Sequence, residues 1–111
     1  MRLRVVVDDV VAIGPGKVAL LEAVEAHGSI SAAARSLEMS YRRAWMLLDE
    51  LNRALEHPAI VTAHGGDRGG GARLTPAGEA VIRHYRQIEA SALASAAPQI
   101  RRLLTLLRKK A

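Results

Sequence analysis

The sequence has no cysteine and no phenylalanine, and only one tryptophan and two tyrosines. Without cysteine, disulfides, thiolate zinc sites and cysteine nucleophiles are excluded. With so few aromatics, Ala, Leu, Val and Ile must fill the interior, and their abundance favours packed helices over a large sheet. No apolar run approaches the ~20 residues that span a bilayer. The opening M-R-L-R-V-V-V-D-D meets two aspartates too early to provide the apolar region of a signal peptide. A soluble, cytoplasmic chain is expected.

A length of 111 residues suits one small domain, with no room for a second unit such as a ligand-sensing module. Sixteen Lys+Arg against eleven Asp+Glu leave a net charge of +5, a balance suited to a polyanion such as nucleic acid or to an anionic membrane. The four histidines, His27, His57, His64 and His84, are scattered singly, so surface or capping roles are favoured over metal binding. Asp8-Asp9 and Asp49-Glu50 are adjacent pairs whose members point apart on a strand or helix. No nucleophile, base and orienting group come together in the pattern, so neither an enzyme nor a cofactor is expected. The glycine-rich run 65–71 has no G-K-S/T after it and no G-x-G-x-x-G opening a helix, which excludes the common nucleotide loops.

Residues 2–7 and 10–13 are β-branched runs that predict two short strands, read as a possible hairpin. After Gly14-Pro15-Gly16, helical spacing of Val18, Leu21, Val24 and Glu25, widened by Leu20, predicts a helix over 16–26 that stops at His27-Gly28. Ser29 or Ser31 can cap a short second helix through Leu37, and Glu38-Met39 makes a turn. Ser40 can cap a third helix to about 56. Around it Tyr41, Leu47, Leu48, Leu51 and Leu55 share the side of Ala44, while Arg42, Met46, Asp49, Glu50 and Arg53 take the other and Arg43 lies at the border. A strand over 59–64, the glycine loop and a return over 72–74 predict a hairpin. Thr75-Pro76 with Glu79 opens a helix through Val81, Ile82, Tyr85 and Ile88. Pro98 is expected to break or kink it, with a last helix holding Ile100, Leu103, Leu104 and Leu107.

Helix, short helix, turn, helix and glycine-tipped hairpin is the order of a winged helix-turn-helix, here mainly α with a small β wing. Division of labour follows: residues 1–75 form the winged DNA-binding part and 76–111 the C-terminal helices that dimerise. A helix that reads the major groove buries one face and offers the other, rich in donors at its start. Ser40, Arg42 and Arg43 occupy that first turn, where the free N–H groups and the positive dipole end add attraction for phosphate. Arg42 or Arg43 can pair with guanine O6/N7. Exposed arginines are commonly just solvated, but Asp49 and Glu50 keep negative charge at the far end of the same face. Trp45 is expected as a core or hinge anchor. Tyr41 is ambiguous between packing and a phosphate contact. In the hairpin tip Arg68, flanked by Gly69 and Gly70, can reach the minor groove or a phosphate. Arg73 at its base is either a phosphate clamp or the partner of an acid.

The runs L-L-E-A-V-E-A-H-G-S-I-S-A-A-A-R-S-L-E-M-S-Y-R-R-A-W, L-D-E-L-N and H-G-G-D-R-G-G-G-A-R-L-T-P-A-G closely resemble the N-terminal DNA-binding domain of ModE-type molybdate-responsive regulators. More distantly the chain is similar to LysR-type regulators, which share G-S-I-S-A-A-A-R and L-T-P-A-G. The resemblance covers about residues 12–88. It implies a winged helix-turn-helix that binds double-stranded DNA through Ser40 to Met46, wing contacts around Arg68 and Gly69 to Gly71, and dimers joined by flanking helices. ModE proteins usually add C-terminal molybdate-binding domains beyond the length of this sequence, so molybdate binding by these residues is not expected.

Dimerisation also has a local basis. Tyr85, Ile88, Ala92 and Ala96 form one stripe, and Ile100, Leu103, Leu104 and Leu107 a second. The first can pack on the first helix or on a partner; for the second a partner chain is expected. A twofold homodimer would place two reading helices ~34 Å apart and match a palindromic operator. The competing expectation is a winged-helix module that binds a separate sensor protein instead of DNA.

Overall fold

The structure, a computed structural model, describes residues 2–7, 10–63 and 71–108. Strands β1 (Val5–Val7) and β2 (Val10–Ile13) pair antiparallel, Val5 opposite Ile13 and Val7 opposite Val10, with an irregularity between Val5 and Val6. Helices α1 (Pro15–His27), α2 (Ile30–Ser36) and α3 (Tyr41–Ala54) follow. Strands β3 (Ile60–Ala63) and β4 (Gly71–Leu74) form a second antiparallel hairpin, the wing, with Ile60 opposite Leu74 and Ala63 opposite Gly71. Helix α4 (Pro76–Thr105) completes the chain. The mainly helical winged helix-turn-helix expected from the sequence is present.

Local chemistry sets each boundary. The Ser29, Ser40 and Thr75 hydroxyls accept from the N–H of Ala32, Arg43 and Gly78, each at 3.1 Å, the arrangement that satisfies free donors at a helix start. α1 ends at Gly28, whose φ of 76° is left-handed, a conformation open to glycine at little cost. Glu38 takes a similar φ of 56° in the α2–α3 turn, without glycine's freedom. α3 stops at Ala54, two residues before the expected end, because Leu55 turns extended ahead of Pro58.

The core is built where three helices and the wing meet. Leu20, Leu21, Val24, Ala33, Ala44, Leu51 and Ala59 are fully buried, and Ile60 and Ala72 close the wing side. Glu25, expected on the apolar face of α1, is exposed. Alanines at 33, 44 and 59 allow close backbone approach, which explains a core without phenylalanine.

Pro98 corrects the expected helix break: α4 runs through it as one helix of 30 residues, so Ile100, Leu103 and Leu104 belong to α4 and not to a separate last helix. Proline removes one hydrogen bond, the one to the Ala94 carbonyl, but Ala94 and its surroundings are exposed and water can take the freed acceptor. α4 is about 45 Å long, and only its first half lies on the domain. The radius of gyration is accordingly 17.3 Å, against about 13 Å for a compact chain of this length.

Candidate nucleic-acid interface

Ser40 closes the first turn of α3 with its hydroxyl on the Arg43 N–H. Arg42, Arg43 and Met46 follow on exposed surface, while Ala44, Leu48 and Leu51 turn into the core. Neither arginine forms an ion pair among the described residues. The acids farther along α3 are neutralised in place. Glu50 forms an ion pair with Lys17 at 3.3 Å, and Asp49 pairs with Arg53 at 2.9 Å. The leading end of α3 is thus cationic and open, and its trailing end is charge-balanced.

Two aromatics depart from expectation. Trp45, expected in the core or a hinge, is 49% exposed, and Tyr41, expected on the apolar side, is 55% exposed. Ala44 and Leu48 occupy the core-facing positions, so Trp45, one residue round the helix, points into the gap between α3 and the wing. Together with Thr62, Gly71 and the start of α2, the two rings line a surface notch. The four-residue spacing of Tyr41 and Trp45 beside two arginines was the available signal for this arrangement.

The wing is held to α3 and α4 by side chain to backbone bonds. Asn52 accepts from the Ala59 N–H at 2.8 Å and donates to the Ile60 carbonyl at 3.5 Å. Thr75 donates to the Pro58 carbonyl at 2.6 Å, and its own N–H bonds the Ala59 carbonyl. The Gly28 carbonyl accepts from Ala72 at 2.9 Å, tying the end of α1 to β4. Sequence reasoning gave Asn52 no role, although L-D-E-L-N contains it. Arg73 is exposed on β4 opposite Val61 and forms no ion pair among the described residues. Arg68, Gly69, Gly70 and His64 lie outside the described residues.

The stripes expected on α4 separate. Tyr85 is 2% exposed and donates its hydroxyl to the Leu3 carbonyl at 2.7 Å, so its ring packs within the chain under the N-terminal strands. Burial, with the Glu89 carboxylate as second cause, raises its pKa. Next to it Arg86 bonds Glu22 of α1 and Glu89, bonds that raise the guanidinium pKa further. Ile88 is exposed and Ala92 and Ala96 are half-buried. Ile100, Leu103, Leu104 and Leu107 are all exposed. Among the described residues no cluster of His, Asp or Glu could hold a metal ion, and no helix is long and apolar enough to cross a membrane.

Residues 16–79 match the model of the bacterial regulatory helix-turn-helix proteins of the lysR family. The chain is 50% identical over 78 residues to the molybdenum-pterin-binding protein MopB of Rhodobacter capsulatus, an alignment covering 70% of the chain and 29% of MopB. Against the DNA-binding transcriptional dual regulator ModE of Escherichia coli K12 it is 39% identical over 71 residues, 64% of the chain and 27% of that protein. The chain therefore spans less than a third of the length of these relatives. Among solved structures it resembles ArgP from Mycobacterium tuberculosis (TM-score 0.54, 27% identity, 78% of the chain and 31% of ArgP). It also resembles a MarR family transcription regulator (TM-score 0.59, 25% identity, 84% of the chain and 70% of that protein). The chain belongs to the lysR family of bacterial regulatory helix-turn-helix proteins, with the winged helix-turn-helix architecture of ModE-like regulators.

Proposed function

We propose that the chain is a sequence-specific, DNA-binding transcription regulator that acts in the cytoplasm and reads a palindromic operator as a homodimer. The observation that carries the reading is the leading turn of α3: Arg42 and Arg43 exposed, unpaired among the described residues, and set at the positive end of the helix dipole. α3 enters the major groove, with Arg42 or Arg43 on a guanine and Ser40, Tyr41 and Met46 on the adjoining backbone and bases. Arg73 takes a phosphate at the wing's base, and Arg68, Gly69 and Gly70 add contacts to the duplex. The name of MopB points to molybdenum for that protein; molybdate binding by residues 1–111 is not proposed.

Residues 76–111 supply dimerisation. The second half of α4 leaves the domain and exposes Ile100, Leu103, Leu104 and Leu107, an apolar surface that a second α4 can cover. Ile88 and Ala92 extend it toward the domain, with Tyr85 as the buttress beneath. The same leucines favour a second reading, in which a separate sensor protein docks on α4. Selection of bound duplexes from a random pool tests the regulator directly. A regulator yields one palindromic consensus, whereas a pure interaction module retains no duplex even at low salt, where phosphate attraction is strongest.

A further inference from the structure

Lys17 is the one buried charged residue among the described residues, 8% exposed. It stands in the first turn of α1, where Gly14, the cap, has no side chain to offer and no acid is present. A cation there is unfavourable twice over: it gives up water, and it faces the positive end of the helix dipole. An apolar side chain of similar length would fill the space at lower cost. What the ammonium gains is attachment to other elements. It donates to the Ala12 carbonyl of β2 at 3.4 Å and pairs with the Glu50 carboxylate of α3 at 3.3 Å. Leu47 and Glu50 of α3 line one surface recess with Gly14 and Pro15 and with Arg2 and Arg4, so α3 rests there beside the start of α1 and the N-terminal strands.

These bonds join α3 to α4 by a continuous path. The Tyr85 hydroxyl of α4 holds the Leu3 carbonyl, Leu3 leads into β1, and β1 pairs with β2. Ala12 of β2 then holds Lys17, which holds Glu50. Toward the wing α3 is tied through Asn52. Both ties lie near the C-terminal end of α3, whereas its leading turn has only the local Ser40 cap among the described residues. Arg42 lies about 12 Å along the axis from Glu50, so a tilt of about 5° at the tie moves the leading turn by about 1 Å. We propose that Lys17 is a positioning residue for DNA reading. It sets the angle between α3 and α4, and with it the spacing at which the two reading helices of a dimer meet their half-sites. The inference rests on the DNA-binding homodimer proposed above, and it gives the buried cation the role of fixing register that its cost in stability calls for.

Lys17→Met keeps a long buried side chain and removes both attachments. Gel shifts with the full chain compare the selected operator, the same operator with its half-sites moved closer or apart by a base pair or two, and random duplex. The wild type is expected to bind one spacing best. Lys17→Met should lose roughly tenfold on that spacing, the worth of one good base contact. On random duplex, where phosphate contacts dominate, it should lose less than about twofold, and its preference among spacings should flatten. Lys17→Arg, which can reach both partners, should recover most of the loss. Glu50→Ala cuts the tie from the half-exposed side and should reproduce it, which keeps the test standing if circular dichroism finds Lys17→Met unfolded. A folded variant of either kind that keeps the wild-type preference for operator and spacing would make Lys17 a packing residue and overturn the proposal, with the DNA reading intact. Equal losses on operator and random duplex would mark a general effect of charge and overturn it as well. A wild type that binds every spacing alike would remove the homodimer reading, and one that retains no duplex would remove the DNA reading itself; the proposal falls with either.

Discussion

A Cβ on Gly78 would sit 2.1 Å from the carbonyl oxygen of Ala59. The first turn of α4 thus lies in backbone contact with the segment that leads into the wing, and the Thr75 bonds to Pro58 and Ala59 lock the same junction. Backbone atoms cannot step aside as a side-chain end can. Gly78→Ala is expected to destabilise the fold by about 3 kcal/mol. Gly16 is the control: its added Cβ meets no atom within 4 Å, and Gly16→Ala in α1 should stabilise by about 0.5–1 kcal/mol. Urea midpoints should move in opposite directions; a harmless Gly78→Ala would show that the junction can open.

Asn52 is the second clamp on the wing. Asn52→Ala leaves the N–H of fully buried Ala59 without its acceptor, at an expected cost of about 1–3 kcal/mol. Asn52→Asp retains the acceptor and loses only the longer bond to Ile60, so it should cost less in the same urea titration. Equal losses would mean that the Ala59 bond is not the stabilising one.

Tyr85 makes stability sensitive to alkali. Its pKa is raised on folding, by burial first and by Glu89 second, so the folded state favours the protonated phenol. That contribution is complete below the unfolded value of about 10 and is lost as pH rises through the higher folded value. Stability should fall above about pH 10, and Tyr85→Phe, which cannot ionise, should flatten that part of the profile. An unchanged slope in Tyr85→Phe would assign the loss to other groups.

The helix starts were legible because capping is local: a serine or threonine, three residues and a free N–H suffice, as at Ser29, Ser40 and Thr75. The wing was legible because the β-branched run Ile60-Val61-Thr62 leads into a glycine run. Pro98 misled because the penalty for proline depends on whether the carbonyl it orphans is buried, and at Ala94 it is exposed. Trp45 misled because scarcity of aromatics argued for the core, whereas Ala44 and Leu48 had already taken the core-facing positions. The packing of Tyr85 under Leu3 joins residues 82 apart in the chain, and no local pattern announces such a contact.

Dimerisation by α4 predicts a specific failure. Leu103→Asp with Leu104→Asp places two charges on the exposed apolar half of the helix, outside the domain core. The double variant should sediment as a folded monomer and bind a palindromic duplex far more weakly, with half-site binding retained. Persistence of the dimer would place its interface elsewhere.

The central claim is tested most directly by the affinity ratio between a selected operator and random duplex, measured with the wild type and with Arg42→Ala, Arg43→Ala. Both arginines are exposed, so the variant should stay folded. The ratio is expected to collapse toward one, with a shallower salt dependence as cationic contacts are lost. A double variant that keeps the wild-type ratio would show that the leading turn of α3 does not read DNA.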